Sequence, residues 1–248
     1  TKNFKNTKFI LGDIKEIDSS EIPHYDVFLA GFPCQPFSVA GYRQGFNDEQ
    51  GRGNLFFEIT RILKETRPRA FLLENVKNLQ SHDNGKTFRI ICEALTDLGY
   101  HSQFKIIDCM NYGNLPQTRE RIYIVGFKNI ENLNCFSFPE KKLSTKSFRD
   151  FLENDVDEKY YYTQNSYPII YPKIKDQIKS DKTVYQWRRK YVRENKNCVC
   201  PTLTANMGTG GHNVPLILDN KRIRKLTPRE CFNLQGFPKS FSLTDKLS

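Results

Sequence analysis

Cys34 lies between Pro33 and Gln35 in the segment Gly31-Phe32-Pro33-Cys34-Gln35-Pro36-Phe37-Ser38, directly after the apolar run 26–30. The pattern predicts a thiol at the exit of a strand, with Gly31 permitting unusual backbone angles; that is the usual address of a nucleophile in an open α/β fold. A cysteine packed as a small hydrophobe would explain a lone Pro-Cys equally well. The weight therefore rests on three further groups: Gly12-Asp13-Ile14, Glu74-Asn75-Val76 and Gln117-Thr118-Arg119-Glu120-Arg121. All fall at the ends of expected strands, where ligand and catalytic groups gather in open α/β sheets. Taken singly, Glu74 reads equally as a helix cap and Arg119 and Arg121 as surface charge. Together, a thiol, a carboxyl and two guanidiniums suit nucleophilic addition with stabilisation of developing charge.

Alternating apolar runs and amphipathic stretches from about residue 8 to 127 predict strands joined by helices. Residues 8–11, 27–30, 70–73, 103–108 and 121–127 read as strands. A helix begins at Asn54 as N-cap, carries Leu55, Ile59, Ile62 and Leu63 on one face, and ends before Pro68. A second runs over 85–98 with Phe88, Ile91, Cys92, Leu95 and Leu98 inward and Gly99 as its C-cap. The polar stretch 33–53, with Gly41, Gly45, Gly51 and Gly53, is long for a compact domain and reads as a lid. After about Glu131 apolar periodicity weakens, which predicts a second domain. Within it, Tyr185, Trp187 and Tyr191 interleave with Arg188, Arg189, Lys190 and Arg193, a pattern suited to phosphate contacts and base stacking or simply to a solvated face. Thr227 caps a last short helix with Pro228 at its first position.

The 248 residues hold 38 Lys and Arg against 28 Asp and Glu, a net charge of +10 that points to a polyanionic partner such as nucleic acid. Seven scattered cysteines argue for reduced thiols rather than a disulfide framework. Cys198, Cys200 and His212 do not have the usual spacing of zinc ligands and no second pair completes four, so no metal is expected. No apolar run approaches the ~18 residues of a membrane span, and no signal-peptide core is evident. The expected location is cytoplasmic and nucleoid-associated, with no membrane partner.

These motifs, together with Gly53-Asn54-Leu55-Phe56-Phe57, Ser81-His82-Asp83-Asn84-Gly85, the run from Arg224 to Cys231 and Gln235-Gly236-Phe237-Pro238, resemble the cytosine-C5 DNA methyltransferases of bacterial restriction-modification systems. The resemblance implies a Rossmann-like, mostly parallel S-adenosylmethionine-dependent methyltransferase sheet. It also implies a smaller target recognition domain, giving catalytic residues 1–130, recognition residues 131–219 and a return to the catalytic domain over 220–248. It makes Cys34 the nucleophile at carbon 6 of a flipped cytosine, Glu74 the proton source at N3, Arg121 the contact to O2 and Arg119 its assistant. Asp13, Ile14, Pro33 and Leu55 fall at cofactor positions. Gln35, Ser38, Arg188, Arg189 and Thr202 are the expected contacts to double-stranded DNA, Thr202 to a phosphate near the flipped base.

The family's opening Phe-x-Gly-x-Gly loop and closing Gly-Asn helix have no counterpart in this sequence. The expectation is that both ends were removed or that a second polypeptide supplies them, and that this chain alone binds cofactor poorly and does not turn over. Two readings compete: a tRNA cytosine-C5 methyltransferase of the same fold, and a DNA-binding subunit that has lost catalysis. Nearly ninety residues in the recognition region disfavour the first. The presence of every catalytic residue expected within the covered region disfavours the second.

Overall fold

The computed structural model describes residues 2–33, 55–142, 145–188, 190–195, 197–205, 207 and 213–244. The expected lid and the N-cap at Asn54 lie outside them. The chain divides into two compact units, one of Thr7–Ile107 with Glu120–Pro139, the other of Thr1–Asn6, Asp108–Arg119 and Glu140–Ser248.

The first unit is built on a four-stranded sheet of β1 (Val27–Gly31), β2 (Ala70–Val76), β3 (His101–Asp108) and β4 (Glu120–Phe127) in the order β1-β2-β4-β3. β1 and β2 run parallel, but β2 and β4 pair antiparallel from Ala70↔Phe127 to Val76↔Arg121. The sheet is thus mixed where a mostly parallel one was expected. The connection Cys109–Arg119 is too short for the crossover of a dozen or more residues that a parallel return demands.

Helices α1 (Leu55–Thr66) and α2 (Lys86–Asp97) match their expected spans, and α3 (Ile130–Cys135) follows β4. α1 buries Phe56, Ile59, Ile62 and Leu63, so Phe56 replaces Leu55 on the expected inward stripe. The core they close with the sheet includes Phe71, Leu73, Leu79, Ile91, Leu95 and Ile122. Gly85 and Gly99, with φ of 81° and 80°, bracket α2 in the left-handed region that glycine enters without steric cost.

Residues 8–11 do not form the expected strand. They carry no regular structure, Leu11 is fully exposed, and no described strand pairs with them. A short apolar run, Phe9 to Leu11, without a ladder partner among the described strands gains nothing from extension. The stretch that follows, 14–19, is held from α1: Arg61 donates through Nη2 to the carbonyls of Ile14 (2.9 Å) and Ile17 (3.2 Å) and through Nη1 to the Ser19 hydroxyl (2.9 Å).

In the second unit, strands β5 (Tyr185–Trp187), β6 (Val192–Glu194), β7 (Pro215–Asp219) and β8 (Arg222–Lys225) form an antiparallel sheet ordered β6-β5-β7-β8. Asn220 and Lys221, with φ of 49° and 65°, make the two-residue turn between β7 and β8. Helix α4 (Pro228–Leu234) starts where expected, in a reciprocal capping box between Thr227 and Glu230.

Arg224 is completely buried there. Its guanidinium meets Glu230 in a fork, Nη1 to Oε2 and Nη2 to Oε1 both at 2.8 Å, while Nε reaches Asp219 Oδ2 at 2.6 Å. Glu230 also accepts the backbone N–H of Thr227 (2.8 Å) and Glu153 (3.0 Å). Among the described residues no helix is long and apolar enough to cross a membrane.

Two stability predictions follow from this packing. A Cβ at Gly126 would lie 2.3 Å from the Phe71 ring, which faces it across the β2–β4 ladder. Gly126→Ala should therefore cost about 1–3 kcal/mol in denaturant unfolding, by overpacking. Glu230→Ala strands a buried guanidinium and removes half of the capping box; a loss of about 3–5 kcal/mol is expected, read as a lowered thermal midpoint of the second unit.

Candidate active site

In the first unit, the carboxyl ends of β1 and β2 come together because Gly31 pairs with Glu74 in the parallel register. A Cβ on Gly31 would stand 3.4 Å from Glu74 Oε2, so glycine keeps the space in front of that carboxylate. Beyond the ladder, Phe32 donates its N–H to the Glu74 carbonyl at 3.4 Å, and its ring packs against Phe56 of α1. Asn75 is 2% exposed and both ends of its amide are bonded, Nδ2 donating to the Phe32 carbonyl (2.9 Å) and Oδ1 accepting the Val76 N–H (2.8 Å). The backbone immediately before Pro33 is therefore fixed from two directions. Pro33 is exposed. Cys34, Gln35 and Ser38 lie outside the described residues.

Arg121 reaches Glu74 by strand geometry. Glu74 stands opposite Tyr123, and Arg121, two residues from Tyr123, projects on the same face as its diagonal neighbour. Its Nε lies 2.9 Å from Glu74 Oε1. Nη1 donates to the Glu120 carbonyl at 2.8 Å, which leaves Nη2 without a partner among the described residues. Next to this pair, Lys77 and Glu120 form a second ion pair.

The expected cofactor positions gather around α1. Asp13 begins an exposed turn in which its Oδ1 accepts the Lys15 N–H (3.1 Å) and its carbonyl accepts the Glu16 N–H (2.9 Å). Ile14 is tied by its carbonyl to Arg61 of α1, and Leu55 is the first residue of that helix. Arg61 had no assigned role in the sequence; a long cation inside an amphipathic helix gives no signal of the distant carbonyls it will hold.

Arg119 and Thr202 belong to the second unit, where two extended segments run side by side. Thr118 donates its N–H to the Cys200 carbonyl (2.9 Å), and Cys200 returns one to Pro116 (2.7 Å). Arg119 has its N–H on Asp108 Oδ1 (2.8 Å) and its Nη1 3.4 Å from the Leu203 carbonyl. Thr202 donates its hydroxyl to the Thr118 carbonyl at 2.6 Å. That hydrogen is committed within the protein, so donating it to a phosphate requires exchange of this bond.

The aromatic and basic run divides. Tyr185 and Trp187 are core residues, 2% and 8% exposed, because β5 lies between β6 and β7; they are not available for base stacking, whereas Tyr191 is exposed. Arg188 donates its Nη1 to Asn213 Oδ1. Arg189 lies outside the described residues.

Other thiols are set apart by their surroundings. Burial, with Cys231 and Cys109 nearby, holds the Cys200 thiol well above its ordinary pKa, and burial with the Glu230 charge pushes Cys231 up to about 12. Burial and Glu93 likewise raise Cys92. All three remain protonated and unreactive at neutral pH.

The Asn75 contacts generate a prediction. Asn75→Ala leaves the Phe32 carbonyl without its donor, at about 1–3 kcal/mol of stability, and loosens the strand exit that leads to Cys34. Alkylation of Cys34 followed by peptide mapping should show an altered rate against the unvaried protein, with the rates at Cys200 and Cys231 unchanged.

A family model described as C-5 cytosine-specific DNA methylase matches residues 1–248. Among curated relatives, the type II methyltransferase M.Bsp6I of Bacillus sp. (strain RFL6) is 54% identical over 98% of this chain and 77% of its own length. M.DsaV of Dactylococcopsis salina is 43% identical over 93% of this chain, and M1.ScrFI of Lactococcus lactis subsp. cremoris 42% over 93%. The chain spans 64% and 58% of those two proteins. Among solved structures, the S. pombe Dnmt2 methyltransferase superposes with a TM-score of 0.61 at 20% identity, covering 94% of this chain and 74% of its own. A Spodoptera frugiperda DNMT2 gives 0.63 at 21%, covering 99% and 79%. At those identities the likeness is one of fold, that of an α/β methyltransferase. The match along the whole chain, with the identity to the type II enzymes, establishes that the chain belongs to the C-5 cytosine-specific DNA methylase family.

Proposed function

We propose that this protein methylates carbon 5 of cytosine within a specific sequence of duplex DNA, using S-adenosylmethionine, as the modification activity of a type II restriction-modification system. One observation carries the reading beyond family membership. The Glu74 carboxylate and the Arg121 guanidinium are held 2.9 Å apart on one face of the sheet, at the strand ends beside the backbone that leads into Pro33 and Cys34.

Carbon 5 of cytosine is a poor nucleophile, so the ring must first be made electron-rich. The Cys34 thiolate adds to carbon 6, forming an S–C bond and driving ring electrons towards N3 and O2. Glu74 delivers a proton at N3 and Nη2 of Arg121, which has no partner among the described residues, meets O2, so charge is stabilised where it develops. S-adenosylmethionine, when bound, supplies the electrophilic methyl group at carbon 5. Loss of the carbon 5 proton to water, return of the N3 proton to Glu74 and cleavage of the S–C bond restore the aromatic ring and return Cys34 as thiolate. The turn at Asp13, with Ile14, Pro33 and Leu55, fits the adenine side of the cofactor, since it offers a carboxylate beside apolar side chains on a backbone fixed by Arg61.

The target base is hidden in a duplex and must be rotated out to reach these groups. In this reading Gln35 and Ser38 act in the nucleophile loop, Arg119 assists at the base, and Thr202, Arg188 and Arg189 serve the DNA backbone. Residues 131–219 read the target sequence. The net charge of +10 favours encounter with DNA without specifying sequence.

Trapping on 5-fluorocytosine DNA tests the assignment, because fluorine cannot leave as a proton does and the thioether persists. The complete enzyme with cofactor should form the adduct and Cys34→Ser should form none; an equal yield from the serine variant overturns the nucleophile. Glu74→Gln should bind DNA while losing about 10²–10⁴ in rate, since a neutral amide cannot deliver the N3 proton. Bisulfite sequencing of methylated DNA then reads base and target together.

A further inference from the structure

Gln117 is a polar residue with no exposed surface, and both ends of its amide are occupied. Nε2 donates to the carbonyl of Leu234, the last residue of α4, at 3.0 Å, and Oε1 accepts the N–H of Leu203 at 3.2 Å. Its backbone is bound as well: the N–H goes to the Leu115 carbonyl (2.8 Å) and the carbonyl accepts from Cys109 Sγ (2.9 Å). One side chain thus joins three segments that are far apart in sequence, 109–119, 200–203 and the end of α4. The carbonyl of Leu234 is one of those that a helix leaves unpaired at its C-terminus, and the Leu203 N–H belongs to an irregular segment with no ladder of its own.

The residues on either side of this junction are Arg119 and Thr202. Gln117 and Cys200 form an isolated parallel bridge, and two contacts then close across it, Arg119 Nη1 to the Leu203 carbonyl and Thr202 Oγ1 to the Thr118 carbonyl. A slip of one segment against the other breaks both contacts at once. The backbone bonds of Thr118 and Cys200 oppose such a slip at the bridge itself, and the buried amide adds a donor at one end and an acceptor at the other. Glutamate has the reach but lacks the donor when ionised, and asparagine is one methylene too short to span both partners.

We propose that Gln117 is a positioning residue for methyl transfer, setting the register that holds Arg119 and Thr202 together, rather than a filler of the core. The inference rests on the reading of Arg119 and Thr202 as groups acting at the base and its phosphate.

The test uses Gln117→Glu and Gln117→Asn, with thermal unfolding run beside single-turnover adduct formation on 5-fluorocytosine DNA at saturating cofactor and DNA. Misplacement by about an ångström costs on the order of a hundredfold, so trapping by the folded variants should fall by about that factor while KM for S-adenosylmethionine is unchanged. For Gln117→Glu, the rate relative to the unvaried protein at the same pH should recover as pH falls, because the protonated carboxyl regains a donor for Leu234. A double-mutant cycle with Thr202→Val should be non-additive in trapping rate. Folded variants that trap within twofold of the unvaried protein, an additive cycle, a loss that tracks only the unfolded fraction, or failure of both variants to fold would each overturn the proposal and leave Gln117 structural. Absence of any adduct with the unvaried protein would instead count against the proposed function.

Discussion

The antiparallel pairing of β2 with β4 is the constraint on which the candidate chemistry depends. Its register is enforced by burial: Phe71, Leu73, Ile122 and Ile124 lie inside, and a slip of one residue would turn them all to the opposite face. Because the same register makes Glu74 and Arg121 diagonal neighbours, the apolar core and the ion pair cannot be adjusted separately. Gly126 shows how tight the arrangement is, since even a methyl group there would meet the Phe71 ring. The parallel pairing of β1 with β2 then brings Gly31 opposite Glu74 and lets Asn75 hold the Phe32 carbonyl. Core packing, ladder register and a polar side chain on the inner edge act together on the backbone that enters Pro33.

The second unit is organised by buried polar groups rather than by a long ladder. Its strands are short, and a three-residue strand such as β5 supplies few backbone hydrogen bonds. Arg224 with Glu230 and Asp219, and Gln117 with Leu203 and Leu234, supply the missing specification. Such groups are costly to bury and tolerate few geometries, so a structure that satisfies them is unlike its near alternatives in energy. Glu230 shows the economy of the arrangement, because one carboxylate receives the guanidinium, the cap of α4 and the Glu153 N–H. It thereby ties the start of the helix to β8 and to the segment before residue 160.

The distribution of thiols fits a division between structure and chemistry. Cys92, Cys200 and Cys231 are held protonated by their burial, whereas Cys34 follows an exposed proline at a strand exit. Burial keeps these three thiols inert, whereas Cys135 and Cys198 are exposed. The ion pairs at the sheet end, Glu74 with Arg121 and Lys77 with Glu120, place alternating charge where the proposed function would receive the cytosine ring.

Much of this was legible in the amino-acid order, because the signals are local. The periodicity of α1 and α2, the capping box of Thr227 with Glu230, the glycines that bracket α2 and the runs of β1, β2 and β4 all follow from residues within a few positions of one another. The linear motifs around Cys34, Glu74 and Arg121 identified the family for the same reason, since each gathers its reactive groups within five residues or fewer. What the tertiary structure alone decided is long-range. Residues 8–11 have strand composition but no partner among the described strands, a fact no local pattern contains. Tyr185 and Trp187 resemble a stacking surface until the strands on either side of β5 bury them. The reversal that makes the sheet mixed depends on a connection too short for a crossover. Arg61, Asn75 and Gln117 acquire their roles only when distant carbonyls and amides arrive within hydrogen-bonding distance, and a polar side chain carries no mark in sequence of which backbone it will meet.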